Sequence, residues 1–311
     1  MFDCSIVVVT FNRLKLIKEC LDSLINQNTN NKYEIIVINN NSTDGTEEYL
    51  NNLKSEFSFI NVLKNNNTNV SSGRNIGIRS SKSNLILFID DDAKASQDWI
   101  SQYIRLFNNN EVLVAGGPMY GLPEIELPKW LSNKSYSYLG NLNHNIESNF
   151  INVFQHHLAS CNLAVRKSVF YEIGLFKEEL GYSDNRILSV EDADFLYRVQ
   201  EKYPNGIFYL KDAFVYHYVP KYRLTKNYLF SRAFWVSAGT SYSLKSKFSL
   251  LQKVKKIPKQ LIYLITAIPF LLLHKIYTNN KNFVDNSVRF YSVVGWFFGT
   301  FLMKLSDSSN N

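Results

Sequence analysis

Short apolar runs alternate with amphipathic stretches along the N-terminal part of the chain. Ser5–Thr10 is rich in β-branched residues and reads as a strand. Leu14, Ile17, Leu21, Leu24 and Ile25 then recur at helical spacing. Glu34–Ile38 predicts a second strand, and Asn41–Thr46 a turn whose side chains can also cap the helix carrying Tyr49, Leu50 and Leu53. Ile60–Leu63 predicts a short strand, Asn65–Ser72 a polar loop and Asn75–Ser81 a helix. Leu85–Ile89 is apolar throughout, as in a strand buried on both faces. This alternation predicts an α/β fold with a mostly parallel sheet flanked by helices.

Three carboxylates, Asp90, Asp91 and Asp92, follow that buried run. Unpaired charge is too costly to bury, so they surface where the strand ends. The strand ends at Thr10–Asn12, Asn39–Asn41 and Asp90–Asp92 then share one sheet edge, where open α/β sheets bind ligands. A carboxylate cluster there suits a hard divalent cation that bridges to phosphates; a solvated acidic turn is the alternative. The formal net charge of +7 points to an anionic partner or surface. Cys4, Cys20 and Cys161 have no paired spacing, which argues against a disulfide framework or a zinc motif and for a reducing compartment. The chain opens directly into a strand-like run, so no signal peptide is expected.

Four ordered segments carry a resemblance. They are Val7–Arg13, Ile36–Thr46, the Gly73-Arg74-Asn75-Ile76-Gly77 stretch and Phe88–Asp92. Together they resemble the family 2 glycosyltransferases of the GT-A fold, from about residue 3 to about residue 240. The resemblance implies a Rossmann-like GT-A domain over 1–240, with a nucleotide-binding half (1–115) and an acceptor half (116–240). It implies an inverting sugar transfer from a nucleotide-diphosphate donor, UDP favoured, with Mn²⁺ or Mg²⁺.

By this resemblance Thr10, Asn12, Arg13, Asn39, Asn41, Arg74, Asp90 and Asp91 serve the nucleotide, and Asp92 is the direct metal ligand. Asn39 stands where the family has an aspartate, which leaves the base open, and Asn69 stands where it often has glycine. Asp44 and Gly45 are read as shaping the turn. In the acceptor half, His157–Arg166 reads as a strand and contributes Asn162 to the acceptor side. Ser189–Arg198 resembles the family's Glu-Asp motif at a helix start. It makes Asp192 the general base and leaves Glu191 to orient the acceptor or bond nearby backbone; simple helix capping is the alternative. Asp194 is expected to be a surface charge or an ion-pair partner. Phe208–Tyr216 predicts one strand, after which His217 completes the metal or diphosphate site or is structural. Lys221, Tyr222 and Arg223 could neutralise diphosphate.

The chain's last part, 241–311, changes character. Six lysines between Lys245 and Lys259 precede the apolar run Leu261–Leu273, and Phe290–Met303 forms a second run. Both are shorter than the roughly 20 residues that a spanning helix needs. In-plane helices on an anionic membrane surface, at the cytoplasmic face, fit this pattern. A helical pair packed on protein and a two-span hairpin are the alternatives. A lipid-linked saccharide is then the natural acceptor. A catalytically inactive relative that binds a sugar nucleotide or glycan is the competing reading. A nucleotidyltransferase and a dinucleotide-binding oxidoreductase are disfavoured, because no glycine-rich phosphate loop follows the first strand. Nucleic-acid binding would rest on net charge alone and is not expected.

Overall fold

The structure is a computed structural model that describes residues 2–181, 188–244 and 280–304. They form two compact units. One contains 2–120, 142–181 and 191–217; the other contains 121–141, 188–190, 218–244 and 280–304.

In the first unit the predicted alternation is present. Its early elements are β1 (Cys4–Thr10), α1 (Leu14–Ile25), β2 (Tyr33–Asn39), α2 (Thr46–Glu56), β3 (Ile60–Lys64), α3 (Val70–Ser80) and β4 (Leu85–Ile89). There follow β5 (Ala93–Ala95), α4 (Trp99–Leu106), β6 (Val114–Gly116) and β8 (Asn149–Phe150), with β7 (Met119–Pro123) running on into the second unit. The unit ends with β9 (Asn162–Arg166), α6 (Lys167–Ile173), α7 (Glu191–Lys202), β10 (Ile207–Tyr209) and the start of β11 (Val215–Val219).

Eight strands make one mixed sheet in the order β3-β2-β1-β4-β9-β6-β10-β8. β9 is antiparallel to both β4 and β6, and β8 to β10, while the remaining pairings are parallel. Six of the eight strands therefore share one direction. The central strands are buried on both faces, and β1, β2, β4, α1 and α4 supply most of one core. The glycines of α3 set its distance from β1. A Cβ on Gly77 would sit 2.4 Å from Val7 Cγ1, and one on Gly73 2.7 Å from Val9 Cγ1. Only hydrogen at these positions lets the helix lie this close, and that brings Arg74 against the sheet edge.

Of three local expectations, two are revised and one holds. Asn69 is not left-handed: with φ −72° it caps α3, accepting a hydrogen bond from the Ser72 N–H at 3.0 Å, so the helix starts inside the predicted loop. Asp44 does shape its turn, accepting from Leu14 N and Thr46, and Gly45 takes φ +90°. Phe208–Tyr216 is two strands rather than one. The chain turns at Leu210–Ala213, where the charged pair Lys211-Asp212 interrupts the apolar run.

In the second unit, α5 (Asn133–Tyr136) and α8 (Lys226–Leu244) pack with α9 (Lys281–Phe297), which ends in a π-helical turn at Phe298–Leu302. Phe230 stacks on Tyr291 at 5.0 Å, and Asp285 accepts from Ser132 and Ser135. Gly295 and Gly299 lie against the Phe234 and Ala238 carbonyls, too close for any side chain. The Phe290–Met303 run thus packs in part on α8. Among the described residues no helix is long and apolar enough to cross a membrane. The basic stretch and the Leu261–Leu273 run lie outside the described residues.

Candidate active site

The acidic turn is assembled by strand register. β1 runs parallel to β4 with Val7 opposite Phe88, which carries Thr10 alongside Asp91. Thr10 Oγ1 donates to Asp91 Oδ2 at 2.7 Å. Arg13, just beyond β1, donates through Nη1 to Asp91 Oδ1 (2.7 Å) and Asp92 Oδ2 (2.9 Å). On the other side, β11 pairs antiparallel with β5 so that His217 stands opposite Ala93. Its Nε2 lies 3.4 Å from Asp92 Oδ1. The two oxygens of Asp92 are therefore divided, one toward Arg13 and one toward the imidazole.

Arg74 joins this turn to α7. It is 5% exposed and donates to Asp90 Oδ1 at 2.8 Å and to Glu191 Oε1 at 2.6 Å. Asp192, the next residue, accepts through Oδ2 from Ser160 N–H (3.2 Å) and Oγ (3.5 Å), and through Oδ1 from Ala193 N–H (2.7 Å). Asp192 is half-buried, whereas Glu191 is 2% exposed. Asp194 is a buried ion-pair partner of Lys177 and Arg198.

Burial dominates the electrostatics. It pushes the Glu191 carboxyl up to about 7, with the Asp192 charge adding and Arg74 opposing. Burial likewise raises Asp91 to about 6, against the pull of Arg13 and with the push of Asp92. The Arg13 guanidinium is held more firmly protonated, first by Asp91. Burial, then Asp90 and Asp92, lifts the Cys161 thiol well above its ordinary value. The raised Glu191 has a linkage consequence. Between its unfolded value near 4.3 and about 7, the folded chain holds a proton that the unfolded chain has lost, so stability falls as pH rises through that window. Glu191→Gln is expected to flatten this part of a melting-temperature profile; an unchanged slope would show that Glu191 does not titrate there.

Several assigned residues make contacts within the fold. Asn162 does not reach an acceptor. Its Oδ1 accepts from Trp99 Nε1 (2.8 Å) and Tyr103 Oη (2.7 Å), and its Nδ2 donates to the Pro118 (2.9 Å) and Ala213 (2.8 Å) carbonyls. All four amide sites are used inside the core. Asn12 (φ +50°) and Asn41 (φ +64°) adopt left-handed turns, and Asn12 Oδ1 accepts from Thr43 N–H at 2.7 Å. Asn39 is buried and its Oδ1 accepts from Ser42 N–H at 2.9 Å, so this oxygen already closes a turn. Arg74 spans two carboxylates from a buried position. Glu191 bonds Arg74 and also accepts from backbone, as one of its two expected roles has it. Ser160 and Cys161, which hold Asp192 and flank Asp90, received no role from sequence; the antiparallel placement of β9 that brings them there leaves no mark in the apolar pattern.

The donors present fit a divalent cation. Asp90, Cys161 and His217 each offer one ligand atom, and these atoms lie within 4.8 Å of one another; Asp92 Oδ1 is adjacent. Carboxylate oxygens and imidazole suit Mn²⁺ or Mg²⁺ beside a diphosphate.

A mixed sheet whose acidic turn sits beside a helix-borne carboxylate pair is the architecture of a GT-A glycosyltransferase. The glycosyl transferase family 2 profile matches residues 5–174, and the chain belongs to that family. It is 26% identical, over 238 residues covering 74% of each chain, to the glucosyl-dolichyl phosphate glucuronosyltransferase of Haloferax volcanii. The chain spans less than two-thirds of the length of several other curated relatives. Its fold is similar to that of S. aureus TarS 1-349 in complex with UDP-GlcNAc, with TM-score 0.53, 16% identity and coverage of 96% of this chain and 90% of that one. It is also similar to that of GalNAc-T7 with UDP, GalNAc and Mn²⁺, with TM-score 0.54, 15% identity and coverage of 79% and 50%.

Proposed function

We propose that this chain is an inverting, metal-dependent glycosyltransferase. It moves a sugar from a nucleoside-diphosphate donor, UDP favoured, to a hydroxyl of a saccharide or lipid-linked saccharide in surface polysaccharide synthesis. The observation that carries this reading is the Asp90–Arg74–Glu191 bridge, which ties the acidic turn to the residue beside Asp192. The UDP-containing fold neighbours and the dolichyl phosphate-dependent relative support the donor and acceptor classes.

In this reading Asp92 and His217 hold the cation. When bound, it supplies positive charge that stabilises the leaving diphosphate. Arg13, about one-third exposed in its side chain, is placed to meet the donor phosphates from the opposite side of Asp92. Asp192 takes the proton of the acceptor hydroxyl as that oxygen bonds to the anomeric carbon. The bond from carbon to diphosphate oxygen breaks on the far face, and its electron pair leaves with the nucleotide. The Ser160 and Ala193 N–H groups fix the orientation of the Asp192 carboxylate for this transfer.

Without a cation, a diphosphate would face three clustered carboxylates. Calorimetry of UDP with Mn²⁺ is therefore expected to show affinity weakened at least tenfold by a chelator, about 1.4 kcal/mol, and by Asp92→Ala to a similar degree. Undiminished affinity in either case would remove the cation from the reading.

A further inference from the structure

We propose that this cation site includes a sulfur ligand, Cys161, and so binds zinc-class ions (Zn²⁺, Co²⁺, Cd²⁺) through a thiolate. The inference rests on the proposed function only for the placement of a cation at Asp92 and His217. The sequence offers no zinc motif, because the donors come from three separated segments that the sheet brings together.

Strand register places the cysteine there. β9 runs against β4 with Ile89 opposite Asn162. The residue preceding β9, Cys161, therefore falls beside the residue following β4, Asp90. The antiparallel pairing of β11 with β5 brings His217 in from another direction, opposite Ala93. A carboxylate oxygen of Asp90, Cys161 Sγ and a ring nitrogen of His217 consequently lie within 4.8 Å of one another. Asp92 Oδ1, 3.4 Å from His217 Nε2, stands beside this cluster as a further donor that must move inward to join it.

Zinc bonds sulfur at about 2.3 Å and imidazole nitrogen at about 2.0–2.1 Å, so a tetrahedral shell places its donors roughly 3.3–3.8 Å apart. The Asp92–His217 separation already meets that spacing, and Asp90, Cys161 and His217, within 4.8 Å of one another, need to close by about 1–1.5 Å at most. The set of two carboxylates, an imidazole and a thiolate is borderline to soft. Such a set binds Co²⁺ and Zn²⁺ more tightly than Mn²⁺, and Mg²⁺ least, since Mg²⁺ demands an octahedron of oxygens. Coordination replaces the S–H proton of Cys161, which passes to solvent. Cys20 also approaches this turn, but its Sγ donates to the Asp90 carbonyl at 3.5 Å from α1 and lies outside the three-donor cluster.

The test is titration of the full-length, metal-free protein with Co²⁺, without nucleotide, following the ultraviolet absorption of a thiolate–metal bond. One equivalent of Co²⁺ is expected to develop the band. Zn²⁺ should abolish it, and Mg²⁺ should not. Cys161→Ser should lose the band and bind Co²⁺ roughly tenfold more weakly or worse, whereas Cys20→Ser should keep it. His217→Gln, with the thiol intact, should weaken Co²⁺ to a similar degree and keeps the test decisive if the serine variant does not fold. No band in the wild type, a band that survives Cys161→Ser, or Co²⁺ affinity indifferent to His217→Gln overturns the inference. UDP binding that needs Mn²⁺ with no Co²⁺ band would sink this inference alone. A Cys161-dependent band with cation-independent UDP binding would instead sink the proposed function and leave the metal site standing.

Discussion

Asp192→Asn is expected to fold as the wild type, to bind UDP with unchanged affinity, and to transfer sugar about 10²–10⁴-fold more slowly. The amide matches the carboxylate in size, and its oxygen can still accept from the Ser160 N–H, so the start of α7 keeps its geometry. What it loses is the capacity to take a proton from the acceptor hydroxyl. Loss confined to turnover separates this role from helix capping, which would appear as a lowered melting temperature. Donor hydrolysis and sugar transfer, assayed with a panel of saccharide and lipid-linked acceptors, give the measurement. Transfer at a near wild-type rate would assign the base elsewhere.

The largest stability effect is expected two residues beyond Ser160, at a buried amide whose four hydrogen-bonding sites are all used inside the core. Asn162→Leu removes both acceptor contacts and both donor contacts of a 2% exposed amide. It strands the Trp99 indole, the Tyr103 hydroxyl and two carbonyls inside the core. Each buried polar group left unpaired costs about 1–3 kcal/mol, so a total of about 4 kcal/mol or more is expected in a denaturant titration. The protein that remains folded should keep its acceptor KM. A raised KM with unchanged stability would return Asn162 to the acceptor side.

These two residues show where sequence reading succeeds and where it stops. The alternation of β1 to β4 follows from burial alone, and the three aspartates do fall at the strand end; Asp91 and Asp92 nevertheless stay buried there instead of surfacing, because Arg13 pairs with both and His217 faces Asp92. Asp192 stands out because Ser189–Arg198 resembles the family's Glu-Asp motif at a helix start. Asn162 looked equally polar and equally close, but whether an amide faces solvent or a ring of four buried partners is decided by distant residues such as Trp99 and Ala213. Arg74 illustrates the same limit. Its segment carried the family resemblance, which does not say that the close approach of α3 to β1 at Gly73 and Gly77 seals the guanidinium between Asp90 and Glu191. The antiparallel entry of β9 was invisible for a similar reason, since a strand buried on both faces carries no sign of its direction.

That entry of β9 also governs the order in which the molecule can be completed. β4 lies between β1 and β9, yet its second neighbour is encoded some seventy residues later. As the chain emerges during synthesis, β1, β2, β3 and β4 can pair in turn while one side of the wholly apolar β4 still presents a bare ladder of N–H and C=O groups. Such an edge invites pairing with another nascent copy. The strand that closes this edge directly follows Ser160 and Cys161, so the step that ends the period of aggregation risk is also the step that furnishes the site. Pairings this far apart in sequence are slow to form, and the competent enzyme is accordingly a late product of folding rather than an early one.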